Sequence, residues 1–314
     1  MSKSLLIIGG SGFFGKSIID YINYNGVSKS INKVLVLSRG INKIKIKKEI
    51  NSKIKIETLK ADISKLKKIP FADYVIYCAI NYNFDQDYKS VCNYYKLAKK
   101  YHSKSKILYT SSGAVYGQQP KRLKKLNENY LFNNERIDFK DKNKNFYSII
   151  KLKNEEIFKQ LSKYNIKISI ARCFAFVGKH LPRDKNFVVG NLIENVLKNR
   201  KIVIKSNYKV IRSYMHENDL VNWLLKIVKN SNKSCPIYNV GSDQGINIRR
   251  LGLYLSKKYS LPIKFKKKIF SFEDRYLPSI YKAKTKLGLR LKYNCLNGID
   301  EVIDSIKKTT NISS

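Results

Sequence analysis

Apolar positions in the first half of the chain fall into short runs separated by helical spacings. Leu5–Ile8, Lys33–Leu37, Tyr74–Ala79, Lys106–Tyr109 and Lys167–Arg172 read as strands. Lys53–Leu59 alternates Ile with Lys and Glu, as a strand near a sheet edge does. Between them, Asp87–Tyr101 sets Val91, Tyr94, Tyr95 and Ala98 at helical spacing, and Tyr147–Leu161 reads as a second long helix. Strands alternating with helices predict an α/β fold with a doubly wound parallel sheet. Residues 118 to 146 are polar and lysine-rich and are expected to form a surface loop. After Phe174 the pattern shortens. Helices are expected at Asn186–Leu197, Glu217–Val228 and Ile248–Tyr259. Strands are expected at Ile202–Ile204 and Ile237–Val240, within a smaller C-terminal α/β region.

Composition narrows the class. Of 314 residues, 43% are hydrophobic, enough for a core and against disorder. No apolar run reaches the roughly 18 residues that span a bilayer, and the apolar start is too short for a signal-peptide core. A cytoplasmic protein with no membrane partner is expected. Five scattered cysteines include no C-x-x-C pair, and three histidines have no ligand spacing, so neither a disulfide framework nor a metal site is expected. The net charge of +40 is compatible with a polyanion partner. The lysines are spread along the chain, however, as an A/T-rich coding bias would leave them. No nucleic-acid partner is therefore expected.

The first strand leads into Gly9-Gly10-Ser11-Gly12-Phe13-Phe14-Gly15, which opens a helix. Gly9 permits a tight turn, Gly12 lets the backbone approach a pyrophosphate, and Gly15 lets helix and strand pack closely. The helix N-terminus offers free N–H groups to the phosphates. This strand–turn–helix points to a dinucleotide. Where an acidic side chain would bind the ribose of NAD, the chain reads Leu37-Ser38-Arg39-Gly40. Arg39 and Ser38 suit a 2′-phosphate, so NADP is the expected cofactor and NAD the alternative. Asp62, after the third strand, suits either the adenine amino group or a helix N-cap.

Tyr147-Ser148-Ile149-Ile150-Lys151 places a phenol and an ammonium one helical turn apart. A free tyrosine, with pKa about 10, is a poor base near neutrality. A neighbouring Lys⁺ and an oxidised nicotinamide favour its phenolate. Thr110-Ser111-Ser112-Gly113-Ala114 closes a strand upstream and offers a hydroxyl to the same substrate oxygen.

With these motifs the chain resembles the extended short-chain dehydrogenase/reductase family, in its nucleotide-sugar NAD-dependent epimerase/dehydratase branch. Arg212-Ser213-Tyr214-Met215-His216-Glu217-Asn218-Asp219-Leu220, Tyr238-Asn239-Val240-Gly241 and Ala283-Lys284-Thr285-Lys286-Leu287-Gly288-Leu289 resemble later elements of that branch. The resemblance implies a Rossmann domain over residues 1–172 and a nucleotide-sugar domain over 173–314, with a soft, partly interleaved boundary. It implies catalysis by Ser112, Tyr147 and Lys151, with Ser111 as fallback for Ser112. It places the cofactor on Gly9, Gly12, Phe13, Phe14, Gly15, Ser38, Arg39, Asp62, Ile63, Cys78, Ala79, Tyr147, Lys151 and Phe174. It places the substrate on Ser112, Tyr147, Arg212 and, second, Arg275. A homodimer is implied through the Asp87–Tyr101 and Tyr147–Leu161 helices.

Three departures narrow the expectation. Gly113-Ala114 stand where the branch's 4,6-dehydratases carry Asp-Glu, so dehydration is disfavoured. Ala175 replaces an asparagine amide that contacts substrate in many relatives. Ser206-Asn207-Tyr208-Lys209 replaces a G-D-G turn. The expected activity is epimerisation or 4-ketoreduction of a nucleotide-linked sugar, feeding surface-polysaccharide synthesis. The alternative is a non-catalytic Rossmann protein that senses NADP or binds nucleic acid.

Overall fold

The computed structural model describes residues 3–26, 31–43, 54–133, 135–184, 187–267 and 272–311. Within them the chain divides into two compact units. The first holds residues 1–117, 138–173 and 221–238, and the second holds 118–137, 174–220 and 239–314.

The first unit is built on a parallel sheet of β1 (Lys3–Ile8), β2 (Ile31–Ser38), β3 (Lys55–Lys60), β4 (Tyr74–Tyr77), β5 (Lys106–Ser112) and β6 (Lys167–Cys173). Helices α1 (Phe13–Asn25) and α2 (Phe84–Tyr101) follow β1 and β4. The strand order is β6-β5-β4-β1-β2-β3, with Ile237–Val240 as a seventh strand beside β6. That last strand was expected in the C-terminal region; it completes the large sheet instead. Leu5 to Ile8 are all fully buried, because a parallel sheet with helices on both faces leaves β1 no solvent side. β3 lies on the edge and is mostly exposed, as its alternation predicts. Lys53, the predicted start of that strand, lies outside the described residues.

The order reverses between β1 and β4. The chain runs outward through β2 and β3, then returns to build β4, β5 and β6 on the other side. In parallel sheets this reversal opens a crevice beyond the carboxyl ends of the strands.

Residues 118 to 146 are not one loop. They contain α3 (Tyr130–Asn133) and the start of α4 (Lys142–Gln160). Asp141 caps α4, its carboxylate accepting from the N–H groups of Asn143 and Lys144 at 2.9 and 3.1 Å. The polar first turn concealed this start, so Tyr147 sits in the second turn. α2 likewise begins three residues early, capped by the Asn83 side chain, which accepts from Gln86 N–H at 3.1 Å.

The second unit carries small sheets. Phe176–Val177 pairs with Met215–His216, and Ile202–Ile204 pairs with Ile263–Phe265. A three-stranded sheet has the order Ile246–Asn247, Lys209–Arg212, Glu273–Tyr276. Helices at Val188–Leu197, Glu217–Lys229 and Ile248–Lys258 match the three predicted segments; Asn186 lies outside the described residues. Asn239 ties this unit together, its amide donating to the carbonyls of Leu126 at 2.9 Å and Ser279 at 3.1 Å. Among the described residues, no helix is long and apolar enough to cross a membrane.

Candidate active site

Gly9 lies at the carboxyl end of β1, where the sheet order reverses. Its φ is +102°, and a Cβ there would stand 2.5 Å from the Ala79 nitrogen. Both facts require glycine. Gly9 and Gly10 donate to the Leu37 carbonyl at 2.9 and 3.2 Å, while Cys78 N–H donates to Ile8 O at 2.9 Å. The turn is thereby stitched to β2 and β4, beside Cys78 and Ala79. Gly15 is also demanded by packing, since its Cβ would lie 2.4 Å from Gly10 Cα. Gly12 differs: its Cβ would meet only Gly9 O, at 3.5 Å. Nothing in the protein's own packing demands a glycine there. α1 begins after Gly12 with no side-chain cap and no acidic residue in its first turn.

Ser38 is buried. Its hydroxyl donates to Ser11 Oγ at 2.6 Å and accepts from Gly40 N–H at 3.2 Å. Arg39 is the exposed neighbour, 57% accessible, and its guanidinium lies 3.9 Å from Asp62. Asp62 accepts from Ser64 N–H at 2.9 Å and from the Ser64 hydroxyl at 2.7 Å, while Ile63 beside it is buried. Burial pushes the Asp62 carboxyl up, but the Ser64 hydrogen bonds and the charges of Arg39 and Lys65 together hold it below the usual range.

The second cluster joins the end of β5 to α4. Ser112 is the last residue of β5, and its hydroxyl accepts from Ala114 N–H at 3.1 Å. Ser111 points elsewhere, donating to Glu155 at 2.6 Å. Glu155 is fully buried and paired with Arg172 at 2.8 Å, whose guanidinium stacks over the Tyr116 ring at 4.8 Å. Ser111 thus belongs to a buried network, and of the two serines it is the less available to a ligand.

Tyr147 is half-buried, with its ring 6.1 Å from that of Phe84 on α2. Lys151 is buried beneath it on α4. Its ammonium donates to Tyr109 OH at 3.2 Å and lies 3.9 Å from the Asp87 carboxylate. Burial pushes that ammonium toward neutrality, but Tyr109, Tyr147 and Asp87 outweigh the effect and hold it above the ordinary lysine range. The Asp87 carboxylate 3.9 Å away suits a protonated Lys151. Asp87, Tyr109 and Asn154 were not anticipated around it. The available signal was a carboxylate at position 87, four residues before Val91, on the apolar face of a helix.

The remaining expected residues belong to the second unit. Phe174 packs on Tyr276 with ring centres 4.7 Å apart. Arg212 donates to the carbonyls of Ile211 and Asp274 and to the Asp274 carboxylate at 2.5 Å. Arg275 pairs with Glu273. In the same motif His216 Nδ1 accepts from Asn218 N–H at 3.2 Å, so its Nε2 carries the proton and donates to Glu301 at 2.6 Å. Asp219 accepts from the N–H groups of Lys292 and Tyr293 at 3.0 and 3.1 Å. His216 and Asp219 fasten the C-terminal segment.

A doubly wound sheet with a glycine turn at its reversal is the arrangement of the dinucleotide-binding class. The NAD dependent epimerase/dehydratase family matches residues 5–241, and the chain belongs to that family. A bifunctional UDP-glucose 4-epimerase and UDP-xylose 4-epimerase of Pisum sativum is 24% identical, over 96% of this chain and 93% of its own length. The Thermotoga maritima UDP-glucose 4-epimerase structure, with UDP-glucose, aligns with a TM-score of 0.75 at 18% identity, covering 98% of this chain and 99% of that one. The dTDP-glucose 4,6-dehydratase of Bacillus anthracis, with NAD, aligns with a TM-score of 0.79 at 16% identity, covering 98% and 97%.

Proposed function

We propose that the protein is a nucleotide-sugar 4-epimerase or 4-ketoreductase that passes a hydride between a sugar carbon and nicotinamide C4. The observation that carries this reading is the buried Lys151, 3.9 Å from the Asp87 carboxylate and one helical turn from Tyr147 on α4. The first unit serves as the dinucleotide domain and the second as the sugar-nucleotide domain.

Gly12 and the uncapped start of α1, with Phe13 and Phe14, suit the pyrophosphate: the backbone there is open and presents N–H groups with a partial positive charge. Ile63, Cys78 and Ala79 of the first unit are the further candidates for the dinucleotide, and Phe174 is the candidate from the second unit. The nicotinamide supplies or accepts the hydride when bound. Tyr147 takes the proton from a sugar hydroxyl as it is oxidised and returns one as a ketone is reduced. Ser112 donates to the same oxygen as charge develops on it. Lys151 holds the nicotinamide ribose and keeps positive charge beside the phenol.

Arg212 binds the diphosphate of the sugar nucleotide in competition with Asp274, and Arg275 is the second candidate. Gly113 and Ala114 carry no acid or base, which favours epimerisation or ketoreduction over water elimination. Ala175 offers no amide to the sugar, which favours a substrate seated differently from that of the asparagine-bearing relatives. The product serves surface-polysaccharide synthesis. The protein works as a homodimer through α2 and α4.

Arg39 favours NADP, because an exposed guanidinium can take a 2′-phosphate bidentately. Arg39→Ser should raise the KM for NADPH by about tenfold or more, the loss of one charge-assisted hydrogen bond. The KM for NADH should stay within about twofold. Equal effects on both cofactors would remove the case for NADP.

The reading is tested by a panel of nucleotide-linked 4-keto-6-deoxysugars and nucleotide hexoses, UDP-glucose included, with NADPH loss followed and products read by NMR. A new alcohol with stoichiometric NADPH loss identifies the reductase, and an epimer without net loss identifies the epimerase. Full recovery of every sugar, with no cofactor change, counts for the non-catalytic NADP-binding alternative.

A further inference from the structure

The buried surroundings of Lys151 contain a charge that the hydride-transfer scheme does not use. Asp87 stands in the first turn of α2 and is 3% exposed. Its Oδ1 accepts from Asn81 N–H at 2.8 Å, and its Oδ2 accepts from the Asn154 amide at 3.0 Å. The same Oδ2 lies 3.9 Å from Lys151 Nζ. Three elements therefore fix this carboxylate against the ammonium: α2, the segment before it, and α4.

The other titratable groups around the pair are Tyr77 from β4, Cys78 just after it, Tyr94 from α2, Tyr109 from β5, Tyr147 from α4 and Cys173 from β6. Burial pushes the phenols of Tyr77, Tyr94 and Tyr109 and the Cys173 thiol upward, and pushes the Cys78 thiol to about 12. All five are neutral near pH 7. The charged groups of this cluster are therefore Lys151 and Asp87 among the described residues.

We propose that Asp87 is the standing counter-charge of Lys151 and biases the Tyr147–Lys151 couple toward its proton-donating form. This inference rests on the reading of Tyr147 as the acid/base. A lysine alone beside a phenol draws off its proton. A carboxylate 3.9 Å from that lysine offsets much of its field, and burial keeps solvent from screening the pair. With Asp87 counted, the Tyr147–Lys151 couple and its counter-charge then sum to about zero with the phenol protonated, which favours delivering a proton to a ketone oxygen. Reduction of a keto-sugar is the half-reaction that needs this. Asp87 touches neither cofactor nor substrate in this scheme; it is a positioning residue acting through Lys151.

The test titrates the Tyr147 ring by NMR in the full-length protein with NAD⁺ bound, using tyrosine isotope-labelled at Cζ and assigning the signal by its loss in Tyr147→Phe. Asp87→Asn keeps the shape and removes the charge; Asp87→Ser serves if the asparagine variant does not fold. Tyr109→Phe removes a contact to Lys151 but no charge. The inference predicts that the Asp87 variant lowers the midpoint by about one pH unit, while Tyr109→Phe leaves it nearly unchanged. An unmoved midpoint in the Asp87 variant overturns the inference. So does an equal shift in both, which makes the effect one of packing. Failure of the Tyr147 reading shows separately, as undiminished turnover in Tyr147→Phe.

Discussion

Tyr147→Phe lowers kcat by about 10²- to 10⁴-fold, the range that a positioned acid/base contributes. At roughly 1.4 kcal/mol per factor of ten this is about 3–5.5 kcal/mol of transition-state stabilisation. The substitution removes one oxygen and leaves the ring against Phe84, so the fold and the KM for the sugar should change little. A loss confined to kcat is the mark of an interaction made in the transition state. Steady-state kinetics on the substrate found by the panel check it. A variant with wild-type kcat would take Tyr147 out of the mechanism.

The second large effect is on stability. Glu155→Ala should destabilise the first unit by about 3–5 kcal/mol, because it strands a buried guanidinium. Arg172 loses its carboxylate partner, and Ser111 loses its acceptor. The paired replacement Glu155→Met with Arg172→Met should cost much less than Glu155→Ala, since apolar groups of similar size leave no charge unpaired. Urea unfolding of the three proteins, followed by the fluorescence of Trp223 in the first unit, measures this. A double variant less stable than Glu155→Ala would contradict the account.

Residues close in sequence to a strong local signal were legible before any fold was known. The glycine turn is legible because Gly15 answers to Gly9 and Gly10, a constraint that local spacing expresses, although Gly9 itself answers to Cys78 and Ala79 far along the chain. The continuous burial of Leu5 to Ile8 in β1 and the exposure of β3 follow from their apolar patterns. What escaped depends on contacts far apart in the chain. Asp87 and Lys151 are 64 positions apart, and no periodicity links them. Ser111 and Ser112 are equivalent as letters. Only the opposite orientations of adjacent strand residues, one toward Glu155, separate them. Ile237–Val240 read correctly as a strand but with the wrong neighbours, because its partner β6 lies 64 or more residues upstream. The start of α4 was hidden by a polar first turn, where Asp141 rather than an apolar face marks the boundary.

The central claim is that a hydride, not a proton, leaves the sugar carbon. The most direct measurement places deuterium where the hydride starts, at the reacting sugar carbon for epimerisation or at C4 of the reduced nicotinamide for ketoreduction, in single turnover with stoichiometric cofactor, followed by mass analysis of both. The account predicts that the deuterium ends on the inverted sugar carbon in the first case and on the new carbinol carbon in the second, with no hydrogen gained there from solvent. Solvent hydrogen at that carbon would contradict it.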